Sequence, residues 1–322
     1  MGRPNDDDER ESRKSTRSGH PQHVAGVPWY TLYSMYQWTV TGFAGLSDAD
    51  RHRVGELREL CEAAEPLDLK LEIDETDPTG QPIHFLADAG GELIGYAGIT
   101  PGEEAEACGM VHPAWRRHGV ATELLTHVCG AGRRLSRESI LFICEDTAPV
   151  AFDWLRRFGA TDDSAEQRMT LGLGIGSGRT TTDAPLELRV AGDADRDALA
   201  RLLGGGFTAS AGKVTDRLES TRPEDFLLGL DAGVVVGALR LTETPRRTMI
   251  YGFVIDQDRR RQRLGTRMLD SVLDMLRTRG VAEVGLEVDP ENTAAVRLYE
   301  SRGFVRVTTY RYLRLASSLV SN

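Results

Sequence analysis

The stretch Ile250-Tyr-Gly-Phe-Val-Ile-Asp-Gln-Asp-Arg-Arg-Arg-Gln-Arg-Leu-Gly-Thr266 is the part of the chain best suited to holding a charged ligand. An apolar strand pattern ends near Ile255, arginines crowd positions 259 to 263, and an apolar helical pattern opens at Leu264. The first turn of a helix presents backbone N–H groups that no helix carbonyl reaches, and the aligned peptide dipoles add partial positive charge. Guanidinium groups beside such a turn add charge-assisted contacts to phosphate oxygens. The loop therefore fits a diphosphate. It fits equally a solvated arginine run ahead of an ordinary helix, and the loop alone leaves both readings open.

Three more residues could take part in chemistry. Tyr299 is a phenol, protonated at neutral pH and able to donate; on an amphipathic helix it also reads as a core residue. Glu287 stands mid-strand between Leu286 and Val288, where a bare carboxylate is costly to bury. Burial would raise its pKa into the range of a general base, whereas pairing with an arginine would make it structural. Asn292 precedes a helical pattern and suits the capping position. The four cysteines, Cys61, Cys108, Cys129 and Cys144, show no paired spacing and no histidine pattern for zinc, so they read as reduced thiols with no metal.

These residues need a scaffold, and the sequence supplies it twice. Gly91-Glu-Leu-Ile-Gly-Tyr-Ala-Gly98 resembles Gly233-Val-Val-Val-Gly-Ala-Leu-Arg240, both strand-like. Beyond them an offset of 144 holds without a gap: Val111 maps on Ile255, Val120 on Leu264, Gly159 on Gly303 and Leu171 on Leu315. Leu264, Met268, Leu269, Val272, Leu273 and Leu276 form one helical stripe that Gly280 ends. Val284, Leu286 and Val288 alternate as a strand, Asn292 to Arg302 reads as a helix, and Val305 to Leu315 supplies closing strands. The predicted organisation is a disordered tail over 1–28, a first α/β domain over 29–171, a Gly-rich linker over 172–185 and a second domain over 186–322. The aromatic cluster Trp29, Tyr30, Tyr33, Tyr36 and Trp38 is expected to bury against the first domain.

The order strand, arginine loop, helix, strand, then Asn292-x-x-Ala295-x-x-x-Tyr299-x-x-x-Gly303-Phe304 resembles the GNAT acetyltransferase superfamily. The resemblance spans about 55–171 and 188–315 and is to its tandem-domain members, mycothiol synthase-like in architecture. It implies two tandem GNAT-type domains, each a central mixed, mostly antiparallel sheet flanked by helices. It implies acetyl-CoA as co-substrate, with Arg260, Arg263 and the backbone of Leu264, Gly265 and Thr266 at the pyrophosphate. Val254 and Ile255 would pair with the pantetheine arm, Asn292 would lie near the thioester, and Tyr299 would be the general acid. Glu287 is the candidate base. In the first half the loop pattern recurs as Arg116-Arg-His-Gly119-Val-Ala121 after Val111-His-Pro113, so Val111, Arg116, Gly119, Val120 and Ala121 are candidate cofactor contacts.

Both copies depart from the pattern. Arg263 stands where a glycine would let backbone approach the phosphates. In the first half, Leu155 and Ala148 stand where the second has Tyr299 and Asn292, and leucine has no proton to donate. The second half is thus the expected catalytic unit, an N-acyltransferase acting by direct attack of an amine on the thioester. A non-catalytic acetyl-CoA sensor or scaffold and a peptide N-terminal acetyltransferase are the alternatives. The acceptor region is expected in 193–225, which includes Gly204-Gly-Gly-Phe207.

A formal net charge of −10 argues against a broad basic surface for nucleic acid. No apolar run reaches bilayer length, and the N-terminus has no apolar signal core, so a cytoplasmic protein is expected. Three lysines stand against 36 arginines, a bias of GC-rich bacterial genomes. Monomer and homodimer both remain open.

Overall fold

The two halves repeat the same element order in the computed structural model, and from α2 onward the 144-residue offset holds for every element start. The first half runs β1 (Thr39–Phe43), α1 (Asp48–Ala64), β2 (His84–Ala89), β3 (Glu92–Ile99), β4 (Ala105–Val111), α2 (Val120–Arg134), β5 (Ser139–Glu145), α3 (Pro149–Arg156) and β6 (Thr161–Gly172). The second runs β7 (Glu187–Val190), α4 (Arg196–Gly206), β8 (Phe226–Asp231), β9 (Val234–Glu243), β10 (Thr248–Ile255), α5 (Leu264–Thr278), β11 (Glu283–Val288), α6 (Thr293–Ser301) and β12 (Val305–Ala316). The structure describes residues 38–102, 104–174, 184–206, 222–244 and 247–318. The expected tail over 1–28, the aromatic residues before Trp38, the centre of the linker and residues 207–221 of the acceptor region lie outside the described residues.

Local chemistry accounts for the elements. The Ser47 side chain accepts from the Asp50 N–H and caps α1, with Asp48 and Asp50 in its first turn. The stripe from Leu264 to Leu276 is buried against the sheet and joined there by Leu286, Val288, Tyr299 and Phe304. Burying each such side chain contributes roughly 1.5–3 kcal/mol. On the other face of the second half, Leu199, Leu202 and Leu203 of α4 pack on Leu228, Ala238 and Val254. The first half repeats the plan, with α2 and α3 on one face and α1 on the other. Gly159 and Gly303 follow their helices with φ of 90° and 89°, a conformation that suits glycine.

The repeat predicts two sheets, and the structure joins them into one. Its order is β1-β2-β3-β4-β5-β12-β6-β11-β10-β9-β8-β7. Each half gives its last strand to the other: β12 pairs with β5 and β6 pairs with β11. The two then pair with each other. The exchange leaves neither β5 nor β11 with an open edge, whose unpaired N–H and C=O groups would be a liability. Within each half one neighbouring pair is parallel, β4 with β5 and β10 with β11.

Candidate active site

The two parallel strands of the second half pair over three rungs only, from Thr248↔Val284 to Ile250↔Leu286. Beyond Ile250 they part, although β10 continues to Ile255 and β11 to Val288. At the point of parting β10 carries a bulge: Tyr251 opposes Arg240, but Val254 opposes Ala238. Gly252 supports it with a φ of +60°. The first-half pair also parts after three rungs, but there β4 runs along β3 without a register shift.

The helix α5 starts at the mouth of this split. No side chain caps it, and its N-cap residue, Arg263, is left-handed at φ 60° and ψ 9°. The N–H groups of Leu264, Gly265 and Thr266 belong to the first turn, whose first helical bond is Arg267 N–H to Arg263 O at 3.0 Å. Arg260 and Arg263 are exposed beside them. Arg261 repeats the left-handed turn of its counterpart Arg117, with φ 62° against 67°. The glycine of the pattern is therefore dispensable for the backbone path, because Arg263 adopts the conformation of Gly119, whose φ is 97°.

Three elements meet here. A Cβ placed on Gly265 would lie 3.5 Å from Leu298 Cδ2 and 3.6 Å from Ile255 Cγ1, so the starts of α5, the end of β10 and the middle of α6 are in contact. Tyr299, the next residue on α6, packs its ring 6.3 Å from Phe253 on the split end of β10 and 5.8 Å from Phe304. Tyr299 is only 6 % exposed. Burial pushes its phenol well above the usual range, so it stays protonated. Among the described residues its hydroxyl has no hydrogen-bond partner. Asn292 caps α6, its side chain accepting from the Ala295 N–H at 3.2 Å. Ile255 faces the α5 side, whereas the side chain of Val254 turns to the α4 side.

Of the two readings of Glu287, a raised carboxylate and a paired one, the geometry matches the paired one. Its carboxylate lies between Lys70 Nζ at 2.7 Å and an Arg168 guanidinium nitrogen at 2.7 Å. Burial acts to raise its pKa, but the charges and hydrogen bonds of Lys70 and Arg168 hold it below the usual carboxylate range. The pairing, not a raised pKa, satisfies this buried charge. Lys70 comes from the first half and also reaches Glu166 at 3.1 Å and the Tyr312 hydroxyl at 2.8 Å. Arg168 comes from β6, the exchanged strand, and pairs with Asp68 at 3.0 Å. Arg247 meets the same Asp68 at 3.2 Å. Tyr251, at the first position past the last rung, is partly exposed, and Glu287, Lys70 and Arg168 all act on its phenol.

The first half has the same backbone with different side chains. Arg116, the counterpart of Arg260, is drawn back onto Glu65 at 2.5 Å and the carbonyl of Val111 at 3.3 Å. The first turn of α2 carries Glu123, bound by the Trp38 indole, where α5 carries Arg267. Gly119 N-caps α2 without a side-chain cap, followed by Val120 and Ala121. Leu155 is buried at the Tyr299 position.

Sequence reading missed Lys70, Arg168, Tyr251 and Phe253. Gly252 inside a strand pattern is the signal that would have marked the bulge and its neighbours. Arg168 and Lys70 carry no local signal, since strand exchange and a long loop bring them in.

A family model for the acetyltransferase (GNAT) family matches residues 32–160 and 197–304. The mycothiol acetyltransferase of Sanguibacter keddieii is 29% identical over 80% of this chain and 89% of its own length. The ribosomal protein bS18-alanine N-acetyltransferase of Escherichia coli is 44% identical over 62 residues, 19% of this chain and 42% of its own. Among solved structures, a GCN5-related N-acetyltransferase from Sphaerobacter thermophilus superposes with a TM-score of 0.67 at 21% identity, covering 87% of this chain and 96% of that one. A tandem GNAT protein from the clavulanic acid biosynthesis pathway gives a TM-score of 0.64 at 17% identity, covering 88% and 99%. At these identities the two structures speak for the fold.

Proposed function

The chain belongs to the acetyltransferase (GNAT) family and is an N-acetyltransferase, and from that premise we propose that its second half transfers an acetyl group from acetyl-CoA directly to the amine of a small-molecule acceptor. The observation that carries this is the meeting of α5, the split end of β10 and α6, which sets Tyr299 against Phe253 beside the parting of β10 from β11 and the uncapped start of α5.

The N–H groups of Leu264, Gly265 and Thr266, with Arg260 and Arg263, hold the pyrophosphate. The backbone at Val254 and Ile255 pairs with the pantetheine arm, and Asn292 lies on the thioester side of α6. Positioning the thioester in the split turns a bimolecular reaction into a local one. The amine nitrogen attacks the thioester carbonyl, the C–N bond forms, and the C–S bond breaks. Tyr299 donates its proton to the departing thiolate. Burial keeps the Tyr299 phenol protonated at neutral pH, so the acid enters the step with its proton in place. Glu287, set between two cations, has little affinity for a proton. It positions Lys70 and Arg168 beside Tyr251 on the acceptor side, and the amine proton goes to solvent, which in turn reprotonates Tyr299 and closes the cycle. The first half does not react, because Leu155 supplies no acid.

The full-length likeness to a mycothiol acetyltransferase supports a small-molecule acceptor. The shorter, closer likeness to the bS18-alanine enzyme favours a second reading, a peptide N-terminus. Free thiol release from acetyl-CoA, measured against an amino-sugar panel and a panel of peptides starting with alanine, tests both. Acetyl-CoA binding without thiol release on either panel sinks the catalytic reading and leaves an acetyl-CoA sensor.

A further inference from the structure

The first half has a partly open apolar cavity of about 100 Å³ at the split between β4 and β5. Ala107, Gly109, Ala121, Phe142, Cys144 and Leu155 line it. By the 144-residue offset these correspond to Tyr251, Phe253, Gly265, Leu286, Val288 and Tyr299. Where the second half has the Phe253 and Tyr299 rings, 6.3 Å apart, the first half has a glycine and a leucine. The cavity thus sits where the reacting half holds the acyl end of its thioester. Its wall has no charged group: burial pushes the Cys108 and Cys144 thiols up to about 12, so both are neutral.

We infer that this cavity binds the hydrocarbon chain of a straight-chain acyl thioester longer than acetyl, in the butyryl to hexanoyl range, and holds it unreacted. The inference rests on reading the chain as two thioester clefts of which only the second turns over. An apolar cavity of about 150 Å³ accommodates benzene, so the volume here suits a chain of about four carbons. An acetyl group would leave most of this space empty, and a void forfeits contacts on one side. Selectivity for length follows from the other end of the cleft as well. Arg116 is engaged with Glu65 and Glu123 stands in the first turn of α2, so phosphate is gripped less firmly here than at Arg260 and Arg263. More of the binding energy must then come from the chain, and each methylene buried tightens binding by about fourfold.

The test is calorimetric titration of the full-length protein with acetyl-CoA, butyryl-CoA and hexanoyl-CoA, with thiol release followed in parallel. The expected result is a second, non-reacting equivalent per chain whose affinity rises from acetyl to hexanoyl. Ala107→Leu and, independently, Cys144→Leu fill the cavity and remove that equivalent while leaving acetyl transfer unchanged. A single hexanoyl-CoA per chain, displaced by acetyl-CoA in competition, overturns the inference. So does a second equivalent whose affinity is flat with chain length or indifferent to both variants. Loss of acetyl transfer in the wild-type protein is a separate readout and bears on the catalytic assignment alone.

Discussion

Lys70 Nζ, on the loop that follows α1, lies 2.7 Å from Glu287 Oε2, 217 positions further along the chain. The bond ties the first half to the middle strand of the second half's site, and both side chains are nearly buried, with 13% and 8% of their surface exposed. Removing Lys70 leaves the buried Glu287 carboxylate with the Arg168 guanidinium alone to offset it. Lys70→Met is therefore expected to cost about 3–5 kcal/mol of stability. Lys70→Met with Glu287→Gln should recover a good part of that loss, since the buried carboxylate that faced Lys70 is neutralised as well. Urea unfolding of the single and double variants measures the coupling, and additive losses would show that the pair contributes nothing beyond its parts.

Acid should weaken the seam. Burial works against the charged forms of Glu287 and Asp68, but their arginine and lysine partners hold both pKa values below normal. A carboxylate depressed in the folded state adds stability that is complete above the unfolded values, about 4.3 for Glu and 3.9 for Asp, and that fades as pH falls through the folded values. Unfolding midpoints between pH 7 and 3 should fall steeply below about pH 5. Glu287→Gln should flatten that slope, and an unchanged slope would assign the acid sensitivity elsewhere.

Tyr299→Phe keeps the ring against Phe253 and Phe304 and deletes only the proton donor. Turnover should drop about a hundredfold or more, with acetyl-CoA affinity unchanged by calorimetry. The raised phenol pKa further predicts no alkaline loss of activity attributable to Tyr299 in the neutral to mildly alkaline range. Full activity in the Phe variant would remove the acid from the mechanism.

Arg263→Gly separates backbone from charge. A left-handed non-glycine residue costs about 1–2 kcal/mol, so glycine should raise the thermal midpoint. The loss of a guanidinium beside the α5 start should weaken acetyl-CoA binding about tenfold. Greater stability with unaltered affinity would mean that Arg263 does not touch the phosphates.

Residues 184–322 alone should not fold. Without β6 there is nothing between β12 and β11, because that strand is paired on both sides by the second half. The fragment should lack a cooperative thermal transition, and co-expression with residues 1–183 should restore one. A fragment that unfolds cooperatively by itself would show that the exchange is optional.

Much of the framework around the candidate site is legible in the sequence. The stripe from Leu264 to Leu276, the strand Val284 to Val288 and the helix ended by Gly303 follow from local periodicity, and they appear where expected. The offset that pairs Val120 with Leu264 also pairs the starts of α2 and α5. Arg263 shows a limit of motif reading, since the expected glycine position is filled by an arginine that takes the same backbone conformation. Glu287 shows another: the strand pattern placed it, but not the cations on it.

The amino-acid order by itself determined the duplicated α/β plan, the helix starts and the chemical types at each cleft, because these depend on neighbours within a few residues. Only the tertiary structure decided that β6 and β12 change sheets and that Lys70 and Arg168 meet Glu287. Strand partners are chosen by register and edge satisfaction between segments far apart in the chain, and a buried charge takes whichever opposite charge the completed sheet brings within reach.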